Sequence, residues 1–161
     1  MTGLLTDKVA IVTGAGQGVG EGIARALADA GAAVVIAARR AENGEPAAAA
    51  LRKRGHEASF VRCDVSVEAD VAAAIEHTID THGRLDIVVH NAVSPPGPPG
   101  PVQVVDPDVI TAQIATSTTA SYLFARAAHP HLVANRGTLI LLTSPAGMEG
   151  SGNLPVYATV K

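Results

Sequence analysis

Three residues near the end of the chain have types and spacing that could do chemistry. Tyr157 and Lys161 are four positions apart, and Ser144 lies thirteen positions before the tyrosine. On a helix, positions i and i+4 share a face, so the ammonium would lie beside the phenol. A free phenol titrates at about 10. A neighbouring cation favours the phenolate, which lets such a group give or take a proton closer to neutral pH. Pro155 suits the first turn of a helix that carries the pair. Ser144 follows an apolar run at 138–142, which puts its hydroxyl at the end of a strand. A Tyr-x-x-x-Lys pattern alone is common, and its weight comes from the residues upstream.

The second locus is a glycine loop. The apolar run 9–12 leads into Thr13-Gly14-Ala15-Gly16-Gln17-Gly18-Val19-Gly20, and a helical pattern follows. Glycines let a backbone approach a pyrophosphate, and a helix N-terminus offers free N–H groups and a positive dipole end. The spacing is not G-x-G-x-x-G, because Val19 stands where the third glycine would be. Gly16-x-Gly18-x-Gly20 would also suit the nucleotide loop of a methyltransferase.

Thr13-Gly14-x-x-x-Gly18-x-Gly20 resembles the TGxxxGxG signature of the short-chain dehydrogenase/reductase family. Tyr157-x-x-x-Lys161, with Ser144 at its spacing, resembles that family's YxxxK motif. The resemblance implies a pyrophosphate site at Gly14, Gln17, Gly18, Val19 and Gly20. It implies that Tyr157 is the general acid/base, that Ser144 hydrogen-bonds the substrate oxygen, and that Lys161 also holds the nicotinamide ribose. Asp64-Val65 stands where relatives contact the adenine, and Asn91-Ala92 where relatives line the cofactor. His90 and Val93 depart from the family's Asn-Asn-Ala-Gly, and His90 reads as a hydrogen-bonded structural residue. Relatives carry an Asn in a long helix that supports a water-linked proton relay. The matching position is Ser117, whose hydroxyl can still donate and accept.

The end of the second strand discriminates between cofactors. An acid there would bond the ribose hydroxyls, but Arg39 and Arg40 follow the run 32–38. An arginine fork suits a 2′-phosphate. NADP(H) is therefore expected rather than NAD(H), with Arg39 the main contact and Arg40 a helper. The competing reading is that both are ordinary solvated residues, and Gln17 occupies a loop position often basic in NADP-preferring relatives. The missing acid also weighs against a methyltransferase. The implied activity is hydride transfer between NADP(H) and a small carbonyl or alcohol substrate. The alternative is a nucleotide-binding module with little or no catalysis, motivated by His90, Val93, Ser117 and a Pro-rich loop.

The elements that must position these residues follow from patterning. Continuous apolar runs at 9–12, 32–38, 85–89 and 138–142, with a weaker one at 58–63, suit strands buried on both faces of a parallel sheet. Between them lie helical patterns at 19–30, 45–54 (with Pro46 in its first turn) and from Ser66 to near Gly83. A longer helix is expected from Asp106-Pro107 to about Val133, with Ile110, Ile114, Ser121 and Ala125 near one stripe. Residues 94–101 hold five Pro and two Gly and must form a stiff loop at a strand's carboxyl end. Strands alternating with helices predict an α/β fold with a doubly wound parallel sheet, a Rossmann-like three-layer α/β/α domain spanning 1–161.

Composition bounds the rest. The 161 residues fit one domain, and 47% hydrophobic residues with only 2% aromatics predict a core of Ala, Val, Ile and Leu. A net charge of −3, with Arg52-Lys53-Arg54 reading as a solvated helix end, predicts no nucleic-acid surface. Cys63 is alone, so no intramolecular disulfide is possible. Six scattered His, with His129 and His131 lacking a partner cluster, predict no metal site. Met1 to Lys8 shows no signal-like stretch, and no run is long enough to span a bilayer, so a cytoplasmic protein with no membrane association is expected. Family members continue past the YxxxK helix. The sequence is therefore expected to be a portion of a longer protein, incomplete at its C-terminus, whose full-length form is a homodimer or homotetramer.

Overall fold

The apolar runs form five parallel strands, β1 (Val9–Thr13), β2 (Ala33–Ala38), β3 (Ala58–Arg62), β4 (Ile87–His90) and β5 (Thr138–Leu141), in the order β3-β2-β1-β4-β5. They belong to a computed structural model that describes residues 3–161, so Met1 and Thr2 of the N-terminal segment lie outside the described residues. Val12 sits opposite Ile36 on one side and Val89 on the other. The chain order reverses between β1 and β4, and at such a switch point the crossovers diverge and leave a crevice at the strands' carboxyl ends.

Each side of the sheet is covered. Ile11, Val35 and Val88 pack beneath α3 (Glu68–His82) and α5 (Ala120–Asn135), against Val71, Ile75 and Phe124. Their neighbours Val12, Val34, Ile36 and Val89 point the other way, onto α1 (Gly18–Asp29) and α2 (Ala41–Lys53). Alternation between two buried faces is why the strands read as unbroken apolar runs. Each fully buried Val or Ile contributes about 1.5–3 kcal/mol of transfer free energy. Alanines at 24, 28, 47 and 48 form the helix surfaces here, and their small side chains let the backbones approach the sheet.

The N-terminal edge of the sheet is tied by Asp86, whose side chain is only 3% exposed. Its carboxylate accepts from Lys8 Nζ at 3.0 Å, Val9 N at 3.0 Å, and Arg84 Nε and Nη2 at 2.8 and 2.7 Å. Burial alone would raise its pKa, but the bonds from Arg84, Lys8 and Val9 outweigh that and hold it at about 2.

Several expectations are corrected. α2 begins at Ala41 rather than 45, so Pro46 lies inside the helix; Gly44 in its first turns packs flush on the Phe60 ring, where a Cβ would overlap. Ser66 does not cap α3. Its N–H and hydroxyl both bond Asp64 Oδ1, and the helix starts from an extended Val67. The long helix is α4 (Pro107–Ile114) and α5 joined by a π-turn over Ala115–Thr119. That wider turn absorbs the Thr/Ser run, and the buried face of the whole stretch carries Gln113, Ser117, Ala120, Phe124 and Ala128. Ile114, expected on the stripe, is 43% exposed. β5 has β4 as its neighbour in the described sheet and leaves Ile140 and Leu141 exposed, unlike the doubly buried strand expected. Short helices α6 (Ala146–Glu149) and α7 (Pro155–Val160) follow it. Among the described residues, no helix is long and apolar enough to cross a membrane.

Candidate functional site

A cleft of about 530 Å³ opens at the carboxyl ends of the strands, over the switch point. β1 delivers Thr13 into a turn where Gly14 adopts φ +65°, a left-handed conformation that side chains disfavour. α1 then starts so close to this turn that a Cβ on Gly20 would lie 2.5 Å from the Gly14 carbonyl oxygen and 2.5 Å from Asn91 Nδ2. The glycine pattern therefore brings the helix N-terminus down onto the loop and onto the end of β4. The start of α1 lines the cleft through Gly18, Val19 and Gly20, and the first N–H groups of a helix have no partner within it, an arrangement that suits an anion.

Thr13 is the hub of this wall. Its hydroxyl accepts from Asn91 N at 3.1 Å and Ala92 N at 3.0 Å, and it meets His90 Nδ1 at 3.0 Å. Asn91 Nδ2 donates to the Thr13 carbonyl at 3.0 Å, which fastens β4 to the glycine loop. His90 is buried, stacks on Phe124 with centroids 5.6 Å apart, and reaches the Thr116 carbonyl through Nε2 at 3.0 Å. Burial lowers its pKa from the ordinary value. The expectation of a hydrogen-bonded structural histidine agrees with this geometry.

At one end of the cleft stand Arg39, Arg40 and Asn43, with Cys63, Asp64 and Val65 beside them. Both arginines are exposed and free to meet a ligand. The bonds from Ser66 draw the Asp64 carboxyl below its ordinary value, and the Arg39 charge adds to this. Burial pushes the Cys63 thiol up to about 12, with Asp70 and Asp64 assisting, so it stays protonated and unreactive.

At the other end stand Leu142, Thr143, Tyr157 and Lys161. Pro155 occupies the first turn of α7, as expected, and Lys161 N bonds the Tyr157 carbonyl at 3.2 Å, which fixes the i, i+4 relation. Lys161 Nζ lies 5.9 Å from the Tyr157 ring centroid and donates to the Leu142 carbonyl at 3.1 Å. Burial lowers the lysine's pKa.

The cleft thus gathers Gly14, Gln17, Gly18, Val19, Gly20, Arg39, Arg40, Asp64, Val65, Asn91, Ala92, Tyr157 and Lys161, but neither Ser144 nor Ser117 is among its lining. The Ser144 hydroxyl accepts from Ala146 N at 3.3 Å at the start of α6. Ser117 Oγ is buried in the π-turn without a hydrogen-bond partner. Thr116, Ser94 and Pro95 also line the cleft, and the last two open the Pro-rich loop expected at a strand's carboxyl end. That loop is held by Gln113 Nε2 donating to the Ser94 carbonyl at 2.6 Å and by Ser94 N donating to Thr116 Oγ1 at 2.9 Å.

One cleft thus joins an arginine end, a glycine loop and a Tyr–Lys end. A family model described as short chain dehydrogenase matches residues 8–161. The chain belongs to that family. Within this short-chain dehydrogenase family it is 38% identical over 154 residues to an L-fucose dehydrogenase of Oryctolagus cuniculus, covering 96% of this chain and 52% of the relative. It is 36% identical over 156 residues to a cis-4-hydroxycyclohexanecarboxylate dehydrogenase of Sinomonas cyclohexanicum, covering 96% of this chain and 62% of that protein. The chain therefore spans a little over half the length of these relatives. A crystal structure of NAD+-bound xylitol dehydrogenase superposes with a TM-score of 0.92 at 29% identity, covering 98% of this chain and 61% of that one. A metagenomic short-chain oxidoreductase in complex with NADP gives a TM-score of 0.88 at 35% identity, covering 98% and 71%.

Proposed function

We propose that this chain is the cofactor-binding and catalytic portion of an NADP(H)-dependent oxidoreductase acting on a carbonyl/alcohol pair. The observation that carries the reading is continuity: one cleft runs from Arg39 and Arg40, across the glycine loop, to Tyr157 and Lys161. Solved relatives hold NAD+ in one case and NADP in another, so the choice of cofactor rests on Arg39, with Arg40 beside it.

A bound NADP(H) supplies or accepts the hydride at its nicotinamide. The protein's own groups do the rest. In reduction, Tyr157 gives its hydroxyl proton to the carbonyl oxygen as the hydride reaches the carbon, and the alcohol leaves. In oxidation, the phenolate takes the alcohol proton. Lys161, with one N–H committed to the Leu142 carbonyl, keeps donors for a ribose hydroxyl and a positive charge beside the phenol. Gly14 through Gly20 and the N-terminus of α1 hold the pyrophosphate, Asp64 and Val65 border the adenine, and Asn91 and Ala92 form the floor. Ser144 supports the substrate oxygen, and Ser117 holds a relay water in place of the usual Asn. Residues 1–161 act as a single dinucleotide-binding domain of a cytoplasmic protein that assembles as a homodimer or homotetramer.

A second reading has a specific observation behind it. With the Ser144 hydroxyl bonded to Ala146 N and neither Ser144 nor Ser117 lining the cleft, the fold could bind a nucleotide and do little chemistry. Screening the full-length protein for NADPH oxidation with assorted ketones separates the two. Turnover that falls at least about a hundredfold in Tyr157→Phe supports the oxidoreductase. Tight NADPH binding with no turnover on any ketone supports the binding module.

A further inference from the structure

His90 joins the two walls of the cleft through a network whose proton positions are fixed by its partners. Nε2 lies 3.0 Å from the Thr116 carbonyl, which can only accept, so Nε2 carries the proton. Nδ1 is then an acceptor, and the Thr13 hydroxyl donates to it at 3.0 Å. The same hydroxyl oxygen accepts from Asn91 N and Ala92 N, the backbone that forms the floor of the cleft. On the other side, Thr116 lines the cleft, takes Ser94 N on its hydroxyl, and sits in the π-turn that joins α4 to α5. A single imidazole thus connects the glycine-loop wall to the wall carrying Ser94 and Thr116.

We infer that His90, neutral and protonated on Nε2, is a positioning residue that sets the spacing of these walls, and that a second proton on its ring disrupts the cleft. A doubly protonated ring would aim an Nδ1–H at an oxygen already taking two backbone N–H groups, and no acceptor direction would remain to close the network. Burial and the Lys161 charge oppose that proton and lower the ring's pKa, although the Thr116 and Ser117 backbone groups favour the charged ring. β1 presents the Thr13 hydroxyl, the π-turn presents a carbonyl, and α5 presents the Phe124 ring face at 27° to the imidazole. β5 pairs beside His90 through Leu141, and the charged group acting on the ring is Lys161 at the end of α7, which repels a second positive charge.

The inference rests on the cofactor reading only for its binding readout, and its first test is free of that reading. Imidazole nitrogen NMR of the ligand-free full-length protein at pH 7.5 is expected to show a protonated-type Nε2 and an unprotonated-type Nδ1 for His90. Acidification should then move the Asn91 and Ala92 amide signals together with the ring. A proton on Nδ1, or amides that stay still while the ring titrates, would overturn the inference.

The second test compares NADP+ dissociation constants at pH 7.5 and pH 5.5 in wild type and His90→Asn. The cofactor's own phosphate titrates at about pH 6 in both proteins, so the difference between them is the readout. Wild type should lose more affinity on acidification than His90→Asn, whose amide does not titrate in this range. His90→Leu, which leaves Thr116 O and the Thr13 hydroxyl without this partner, should weaken NADP+ roughly tenfold at pH 7.5. Equal acid dependence in wild type and His90→Asn would refute the switch, and undiminished binding by His90→Leu would refute the positioning role.

Discussion

Gly20 and Gly22 lie two positions apart in α1, and the structure assigns opposite outcomes to replacing them with alanine. A methyl at Gly22 meets nothing within 4 Å. Gly22→Ala should therefore gain only the helix-propensity difference, about 0.8–1 kcal/mol of added stability. A methyl at Gly20 would sit 2.5 Å from Asn91 Nδ2 and 2.5 Å from the Gly14 carbonyl, nearly 1 Å inside ordinary contact. Neither neighbour can swing away, because Asn91 Nδ2 is bonded to the Thr13 carbonyl and Gly14 O is backbone. Overpacking of this kind costs about 1–3 kcal/mol, which outweighs the same propensity gain and leaves a net loss of up to about 2 kcal/mol. The helix start must also lift off the glycine loop, so NADPH affinity should fall at least about tenfold in Gly20→Ala and stay unchanged in Gly22→Ala. Urea unfolding and NADPH fluorescence titration on the full-length variants read both effects. If Gly20→Ala matched Gly22→Ala in stability and affinity, the close approach of α1 to the loop would be disproved.

Asp86 gives the fold an acid-sensitive tie. A carboxyl held at about 2 in the folded chain, against an ordinary 3.8, contributes roughly 2 kcal/mol above pH 4. Because the folded value is the lower one, that contribution is complete above the unfolded value and is lost as pH falls from about 4 to about 2. Asp86→Asn should cost about 2–3 kcal/mol at pH 7 in urea unfolding. Its stability should then converge on wild type near pH 2; parallel pH profiles would contradict the assignment. Ser117 is tested by kinetics: Ser117→Ala should lower kcat several-fold with little change in KM for NADPH, and a variant as fast as wild type has no relay there.

The sequence made the site's ends readable because each end is local. The glycine loop, Arg39-Arg40 and Tyr157-x-x-x-Lys161 are short segments whose spacing carries their geometry, and the alternation of apolar runs with helices fixed the order of layers. What stayed hidden depends on contacts between distant segments. Thr13 became a hub only because β4 delivers two N–H groups and a histidine to its hydroxyl. Thr116 reaches the cleft from within the π-turn, and the buried face runs through Gln113 and Ser117 rather than Ile114. Ser66 was drawn from its expected capping role by Asp64, a competition between two short polar side chains that neighbouring sequence cannot decide. The length of β5 was legible, but its exposure was not, since an edge strand and a central one can share the same composition.

The claim that the cleft holds a phosphorylated dinucleotide with Arg39 at its adenosine end is tested most directly by titrating NADPH and NADH onto the full-length protein. The account predicts that NADPH binds at least about tenfold tighter, the scale of charge-assisted bonds to a 2′-phosphate. It also predicts that Arg39→Ala removes most of this difference while leaving NADH affinity as it was. NADH binding as tightly as NADPH, or a preference untouched by Arg39→Ala, would contradict it.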